Sequence, residues 1–166
     1  MLYQPQKLLS HKQCRQIIKS AQRGGMSPGW TVRGTVTMRT NSVSWYTDEG
    51  DQLVNEIRSH MVSTAELPVH WIKRPYQIAR YCEGELYDWH RDWIPSWQTR
   101  SSNRSLTLVC TLQSAPGAVL ELKDHTFDLE PGWAVAFPAR DLHRATAPTQ
   151  GERWSMTAWG MQRNTE

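Results

Sequence analysis

Long hydrophobic runs are missing from this 166-residue sequence: none approaches the roughly eighteen apolar residues of a membrane-spanning helix, so no membrane span is expected. The first residues, MLYQPQKLLSHK, hold no apolar signal core. Cysteine is scarce. Cys14, Cys82 and Cys110 are odd in number, far apart and outside any CxxC pair. That indicates neither a disulfide framework nor a zinc knuckle, and a reducing cytoplasm is the expected home. Internal repeats, low-complexity tracts and linkers are also absent, which leaves one domain with one sizeable core. Acidic residues are wanting in one region only. Residues 1–47 carry seven basic groups (Lys7, Lys12, Arg15, Lys19, Arg23, Arg33, Arg39) and no acid, whereas the rest of the chain has a balance of −4 within an overall +3. These charges form no dense run, so a solvated helix face is the simpler reading, with an acidic or nucleic-acid partner as the rival.

Tryptophan is abundant, with nine residues against two phenylalanines, enough to serve both the core and the walls of a pocket. Ser10-His11-Lys12-Gln13 has the capping-box pattern, with Leu9 and Cys14 placed as a hydrophobic staple. Cys14, Ile17, Ile18 and Ala21 then recur at helical spacing until Gly24 and Gly25, which predicts a helix over 10–23. Trp30, Val32, Val36 and Met38 alternate with polar residues as in a strand. Asp48 is placed to cap a second helix with Leu53, Val54, Ile57 and Met61 on its buried stripe. Beyond Pro68 the pattern turns to short strands at about 76–82, 105–112, 117–122, 133–137 and 153–159. Turn residues such as Pro131-Gly132 lie between them, and Lys123-Asp124-His125 reads as a further turn. The expected organisation is a helical support with a strand over 1–70, then an all-β barrel or jelly roll over 71–166.

Candidate chemistry begins at His90-Arg91-Asp92, where two metal-ligating side chains at i and i+2 share a face if the segment is a strand. His143 follows after Pro138-Ala139-Arg140-Asp141-Leu142. Two histidines and a carboxylate leave coordination positions open, as non-haem Fe(II) oxygenases require, although zinc also accepts such a set and a lone His-x-Asp is common on surfaces. Arg153 and Ser155 share a face of the last strand. A guanidinium inside a barrel needs an anionic partner. Either one of the chain's acids or a dicarboxylate bridging from metal to Arg153 satisfies it. Trp89, Trp93 and Trp97 bracket the His-x-Asp and either wall a substrate mouth or pack the barrel end. His11, His60, His70 and His125 fit no ligand spacing.

Four segments carry a resemblance. Tyr81-Cys82-Glu83-Gly84-Glu85-Leu86-Tyr87-Asp88-Trp89-His90-Arg91-Asp92 resembles the Y-x-x-G-x-x-Y-x-x-H-x-D segment of 2-oxoglutarate- and Fe(II)-dependent dioxygenases of the prolyl 4-hydroxylase-like branch. Asn103-Arg104-Ser105-Leu106-Thr107 is similar to that branch's next strand. Leu129 to Pro138 resembles its P-x-x-G-x-x-x-x-F-P strand, and Gly151 to Trp159 its G-x-R-x-S…W ending. The resemblance spans about residues 76–160. It implies a double-stranded β-helix with Fe(II) held by His90, Asp92 and His143. It also implies 2-oxoglutarate held by Arg153, Ser155 and Tyr81, O2 as the oxidant, and ascorbate as a supporting reductant. Trp159 falls where prolyl hydroxylases keep a tryptophan near the substrate, and Arg104, Trp93 and Trp89 are the further candidate substrate residues. Thr111-Leu112-Gln113 and Gly117-Ala118-Val119-Leu120 depart from the family's usual Y-L-N and G-G-E-L, which bears on a cosubstrate contact and on backbone packing. The expected function is hydroxylation of an amino-acid-type substrate, prolyl or other, free or in a peptide, giving succinate and CO2. The rivals are a non-enzymatic metal and 2-oxoglutarate sensor, or a cupin-like module, and a nucleic-acid-directed oxygenase.

Overall fold

The computed structural model of the protein describes residues 2–31, 38–46, 69–71, 76–93 and 104–162. Among them run β1 (Gln6–Lys7), α1 (His11–Gly24), β2 (Ser27–Pro28), β3 (Ser42–Tyr46), β4 (Val69–Trp71), β5 (Tyr76–Tyr81), β6 (Tyr87–His90) and β7 (Leu106–Gln113). There follow β8 (Leu120–Leu122), β9 (His125–Phe127), β10 (Trp133–Pro138), β11 (His143–Ala145) and β12 (Arg153–Gln162).

From β5 onward the chain crosses back and forth between two antiparallel sheets. The larger has the order β1-β10-β7-β12-β5-β3-β2, with β4 also on β12, and the smaller has the order β6-β11-β8-β9. β5, β7, β10 and β12 lie in the first, and β6, β8, β9 and β11 in the second, so sequence neighbours face each other across the interior. This is the double-stranded β-helix. Its one consequence for the site is that residues far apart in sequence meet: His143 lies in register with His90 on β11 and β6.

The period of two along each strand decides what lies on either side of the large sheet. On β7, Leu106, Leu108, Cys110 and Leu112 point outward with Ile78 of β5 and Trp154, Met156 and Ala158 of β12. Helix α1 covers that face with Cys14, Ile17 and Ala21. The helix is held at its start as the sequence predicts: Ser10 Oγ accepts from Gln13 N at 3.2 Å, and Gln13 Oε1 accepts from Ser10 N at 2.8 Å. The other face looks inward. Val109, Val135 and Phe137 pack there against Leu120, Leu122 and Phe127 of the small sheet and fill one end of the interior.

The segment before α1 is sewn to the large sheet at Gly132. Leu8 and Leu9 both donate their N–H to the Gly132 carbonyl, at 2.8 and 3.1 Å. Gly132 has φ +88, and a Cβ there would lie 2.1 Å from the Leu9 carbonyl oxygen, so only glycine fits.

Several sequence expectations shift. The first 71 residues supply β1 to β4 to the large sheet as well as α1. Of the strand expected over 30–38, residues 32–37 lie outside the described residues, and Trp30 and Met38 are 82% and 59% exposed rather than buried in alternation. The second helix expected after Asp48, His60 and Trp97 lie outside them too. The strand expected at 117–122 begins only at Leu120, because Gly117 sits in a turn at φ +80 whose own carbonyl accepts from Thr146 Oγ1, while the Pro116 carbonyl accepts from Thr149 N. β6, β9 and β11 were not anticipated; they are three or four residues long, too short for alternation to show. Lys123-Asp124 is the expected turn, and His125 already belongs to β9.

Candidate metal centre

The large sheet's inward face changes character toward the end away from Phe127. Gln77, Ala79 and Tyr81 point inward from β5, Thr107 from β7, and Arg153, Ser155, Thr157 and Trp159 from β12, so the interior becomes a polar cleft roofed by the small sheet. His90, Asp92 and His143 meet there, with one ligand atom from each within 4.8 Å of the others. His90 is the last residue of β6, whereas Asp92 lies beyond the strand rather than on it. It reaches the same cleft because the chain continues past the strand, where Trp93 N donates to the Ala139 carbonyl at 2.8 Å.

The two histidines are held alike. His90 Nδ1 lies 2.7 Å from the Asp88 carbonyl, and His143 Nδ1 lies 2.9 Å from that of Asp141. A carbonyl only accepts, so each Nδ1 carries a proton and each Nε2 faces the cleft, where it gives a lone pair to a cation once any proton on it has left. Both Nε2 atoms stand 3.5 Å from Asp92, one on each carboxylate oxygen. Asp92 Oδ2 also accepts from Thr107 Oγ1 at 2.8 Å and from Trp159 Nε1 at 3.1 Å. Burial pushes the Asp92 carboxyl up, but the two histidines and their hydrogen bonds outweigh it and hold the group well below the usual carboxylate range. Burial lowers both imidazoles. It prevails at His90, while at His143 the Asp92 charge prevails and the pKa rises. This donor set suits a divalent cation: two imidazole nitrogens and one carboxylate converge, and their outward atoms are already engaged.

The floor of the cleft is different. Arg153 is 3% exposed and makes no ion pair with any carboxylate among the described residues. Its guanidinium carbon lies 5.5 Å from the centre of the Tyr81 ring, and burial lowers its pKa. Tyr81 is itself buried, which raises its pKa against the pull of Arg153. Ser155 lines the same wall. A buried, unpaired guanidinium beside two hydroxyls fits a carboxylate ligand.

Residues 76–161 match the family described as the 2OG-Fe(II) oxygenase superfamily. The chain belongs to that superfamily. Its members use Fe(II), 2-oxoglutarate and O2, and the His-Asp-His cluster fits iron binding. A PKHD-type hydroxylase of Paracoccus denitrificans is 32% identical over 112 residues, which are 61% of this chain and 48% of that protein. The chain thus spans about half the length of that curated relative. Among solved structures, a viral collagen prolyl hydroxylase of Paramecium Bursaria Chlorella virus-1, in its 2-oxoglutarate complex, superposes with a TM-score of 0.76 at 18% identity. It covers 98% of this chain and 97% of its own. A prolyl-4-hydroxylase of Pseudomonas putida gives 0.67 at 19% identity, covering 97% and 92%. At these identities the likeness establishes the shared fold, which is also the fold expected from the sequence.

The candidate substrate residues are placed unequally. Trp159 lines the cleft and is tied to Asp92, with the Arg104 guanidinium 3.7 Å over its ring. Trp89 is a correction. It precedes His90 on β6, so the pleat turns it to the outer face, where Arg144, paired with Glu121, lies over its ring at 4.8 Å. Trp93 is capped by Arg140 at 4.6 Å and is not among the cleft-lining residues. Thr107 and Tyr87 were missed as site residues. Tyr87 stacks on His90 with centroids 3.4 Å apart. The signal for Thr107 was available: it is the polar, inward member of an alternation whose outward members are all apolar. No helix among the described residues is long and apolar enough to cross a membrane.

Proposed function

We propose that the protein is an Fe(II)- and 2-oxoglutarate-dependent hydroxylase acting on an amino-acid-type substrate, prolyl or another side chain, free or in a peptide. The observation that carries this reading is the pairing, in one cleft, of a self-neutralised His90-Asp92-His143 cluster with a buried Arg153 that has no carboxylate of its own. Bound together, the metal and 2-oxoglutarate supply the oxidising chemistry: one oxygen atom of O2 enters a substrate C–H bond, the other enters succinate, and CO2 leaves.

In this reading His90, Asp92 and His143 hold the metal through Nε2, carboxylate and Nε2. Arg153 receives the distal carboxylate of 2-oxoglutarate as a charge-paired fork, and the Ser155 and Tyr81 hydroxyls donate beside it. Thr107 and Trp159 keep the Asp92 carboxylate from rotating. The Trp159 ring and Arg104 stand at the mouth, where a substrate side chain is oriented and water kept out. The hydroxylase relative and the prolyl hydroxylases of the same fold support an amino-acid-type substrate.

Incubation with Fe(II), ascorbate and 2-oxoglutarate under air, with a pool of amino acids and prolyl peptides, tests it. Succinate should accumulate with the wild type and fall to background with His143→Ala. Tight metal binding with no succinate under any addition would leave a sensor as the better account.

A further inference from the structure

The part of the chain that precedes the matched segment reaches both histidines at one remove. Near its start, Tyr3 donates its N–H to the Ala136 carbonyl at 2.9 Å and adopts φ 58, a left-handed conformation that a bulky side chain keeps only where its surroundings hold it. They do so here. The ring stacks on His125, centroids 5.0 Å apart and planes 9° from parallel, and the hydroxyl donates to Asp141 Oδ2 at 2.6 Å. Asp141 is also the residue whose carbonyl faces His143 Nδ1 at 2.9 Å. Its carboxylate and carbonyl flank one Cα, so the hydroxyl that anchors the first also steadies the second.

Arg39 serves the other histidine. Its Nε donates to Asn41 Oδ1 at 2.8 Å, Nη1 to the Trp30 carbonyl at 2.7 Å and Nη2 to Gln77 Oε1 at 2.9 Å. A Cβ at Gly29 would lie 2.4 Å from Arg39 Nε, so the chain leaves room for this side chain. The guanidinium carbon sits 4.2 Å from the centre of the Tyr87 ring, and that ring stacks on His90 at 3.4 Å with planes 7° apart. Three neutral acceptors fix the guanidinium, the guanidinium fixes the tyrosine, and the tyrosine fixes the plane of the imidazole.

We propose that Tyr3 and Arg39 are positioning residues for the metal centre, setting how tightly His143 and His90 hold a divalent cation that neither touches. This rests on the reading of His90, Asp92 and His143 as ligands. The physical cause is preorganisation. A histidine whose ring plane and tautomer are fixed in advance loses little freedom on binding, and groups that orient ligands commonly change affinity by about 10- to 100-fold.

The experiment is a calorimetric titration of Co(II), with its visible ligand-field spectrum, into the full apo-chain. The proteins are wild type, Tyr3→Phe, Arg39→Met, Arg39→Lys and Ser10→Ala, each also melted without metal. Tyr3→Phe and Arg39→Met should each weaken Co(II) about tenfold and alter the spectrum. Arg39→Lys should not restore binding, since an ammonium lacks the planar fork. Ser10→Ala removes the cap of α1, far from the cleft, and should lower the apo melting temperature while leaving Co(II) affinity as in wild type. Tyr3 and Arg39 variants that bind Co(II) as tightly as wild type, or a Ser10→Ala that loses as much Co(II) affinity as they do for the same fall in melting temperature, would overturn the proposal. A wild type that binds no Co(II) would instead overturn the ligand assignment itself, and this inference with it.

Discussion

The two ends of the cleft solve the problem of buried charge in opposite ways. At the metal end, Asp92 is surrounded by two imidazoles, a hydroxyl and an indole N–H, and its charge is satisfied by the chain alone. At the Arg153 end a full positive charge is buried with no carboxylate among the described residues to meet it. The first end is a finished polar network, which can exist without ligand; the second is complete only with an anion. A buried charge of that kind carries a desolvation cost in the free protein, and a carboxylate ligand relieves it.

The comparison breaks most sharply at Asp92. Asp92→Ala should abolish Co(II) binding and also destabilise the apo-protein by about 3–5 kcal/mol, because His143, Thr107 and Trp159 lose their common acceptor. Calorimetry and a denaturant melt check both. Arg153→Met should behave in the reverse sense. Metal affinity should stay near wild type and the apo melting temperature should rise, while 2-oxoglutarate binding to the metal-loaded protein weakens by about 3 kcal/mol, on the order of a hundredfold. An unchanged 2-oxoglutarate affinity would remove Arg153 from the cosubstrate site.

A finer cut separates the hydrogen bonds on Asp92 from the ring that supplies one of them. Trp159→Phe keeps an aromatic surface for Arg104 but deletes the N–H, and should weaken the metal about tenfold, measured by the same Co(II) titration. The smallest effect concerns pH. Burial, then the Asp141 hydrogen bond and charge, pushes the Tyr3 hydroxyl up to about 12, from an ordinary 10.0. Its folded pKa is raised, so its contribution is fully present below pH 10 and is lost as pH rises through about 12. The melting-temperature difference between wild type and Tyr3→Phe should therefore be constant up to about pH 10 and shrink between there and about 12.

The sequence showed some of this well and some of it hardly at all. The capping box at Ser10 is a local device written in neighbouring residues, and it appears as read. β7 and β12 were legible because they are long enough for alternation to repeat. β6 and β11, which carry the histidines, were not, since three or four residues cannot display a period. The ligands were found through motif spacing instead, and the expectation that His90 and Asp92 share a strand face was replaced by a ligand just past the strand end. Trp89 illustrates the opposite failure. Its nearness to His90 in sequence suggested the substrate mouth, and the pleat placed it on the far side of the sheet.

What the sequence determined by itself was the inventory and its order: which residue types could hold a cation, which arginine needed an anion, and a family whose segments occur in the right sequence. Only the tertiary structure decided who stands beside whom. Tyr3 meets Asp141 and Arg39 meets Tyr87 across long stretches of chain, through an antiparallel arm and a neighbouring strand. Such pairings follow from sheet register and closure, which are set by the burial of whole faces rather than by any local run of residues.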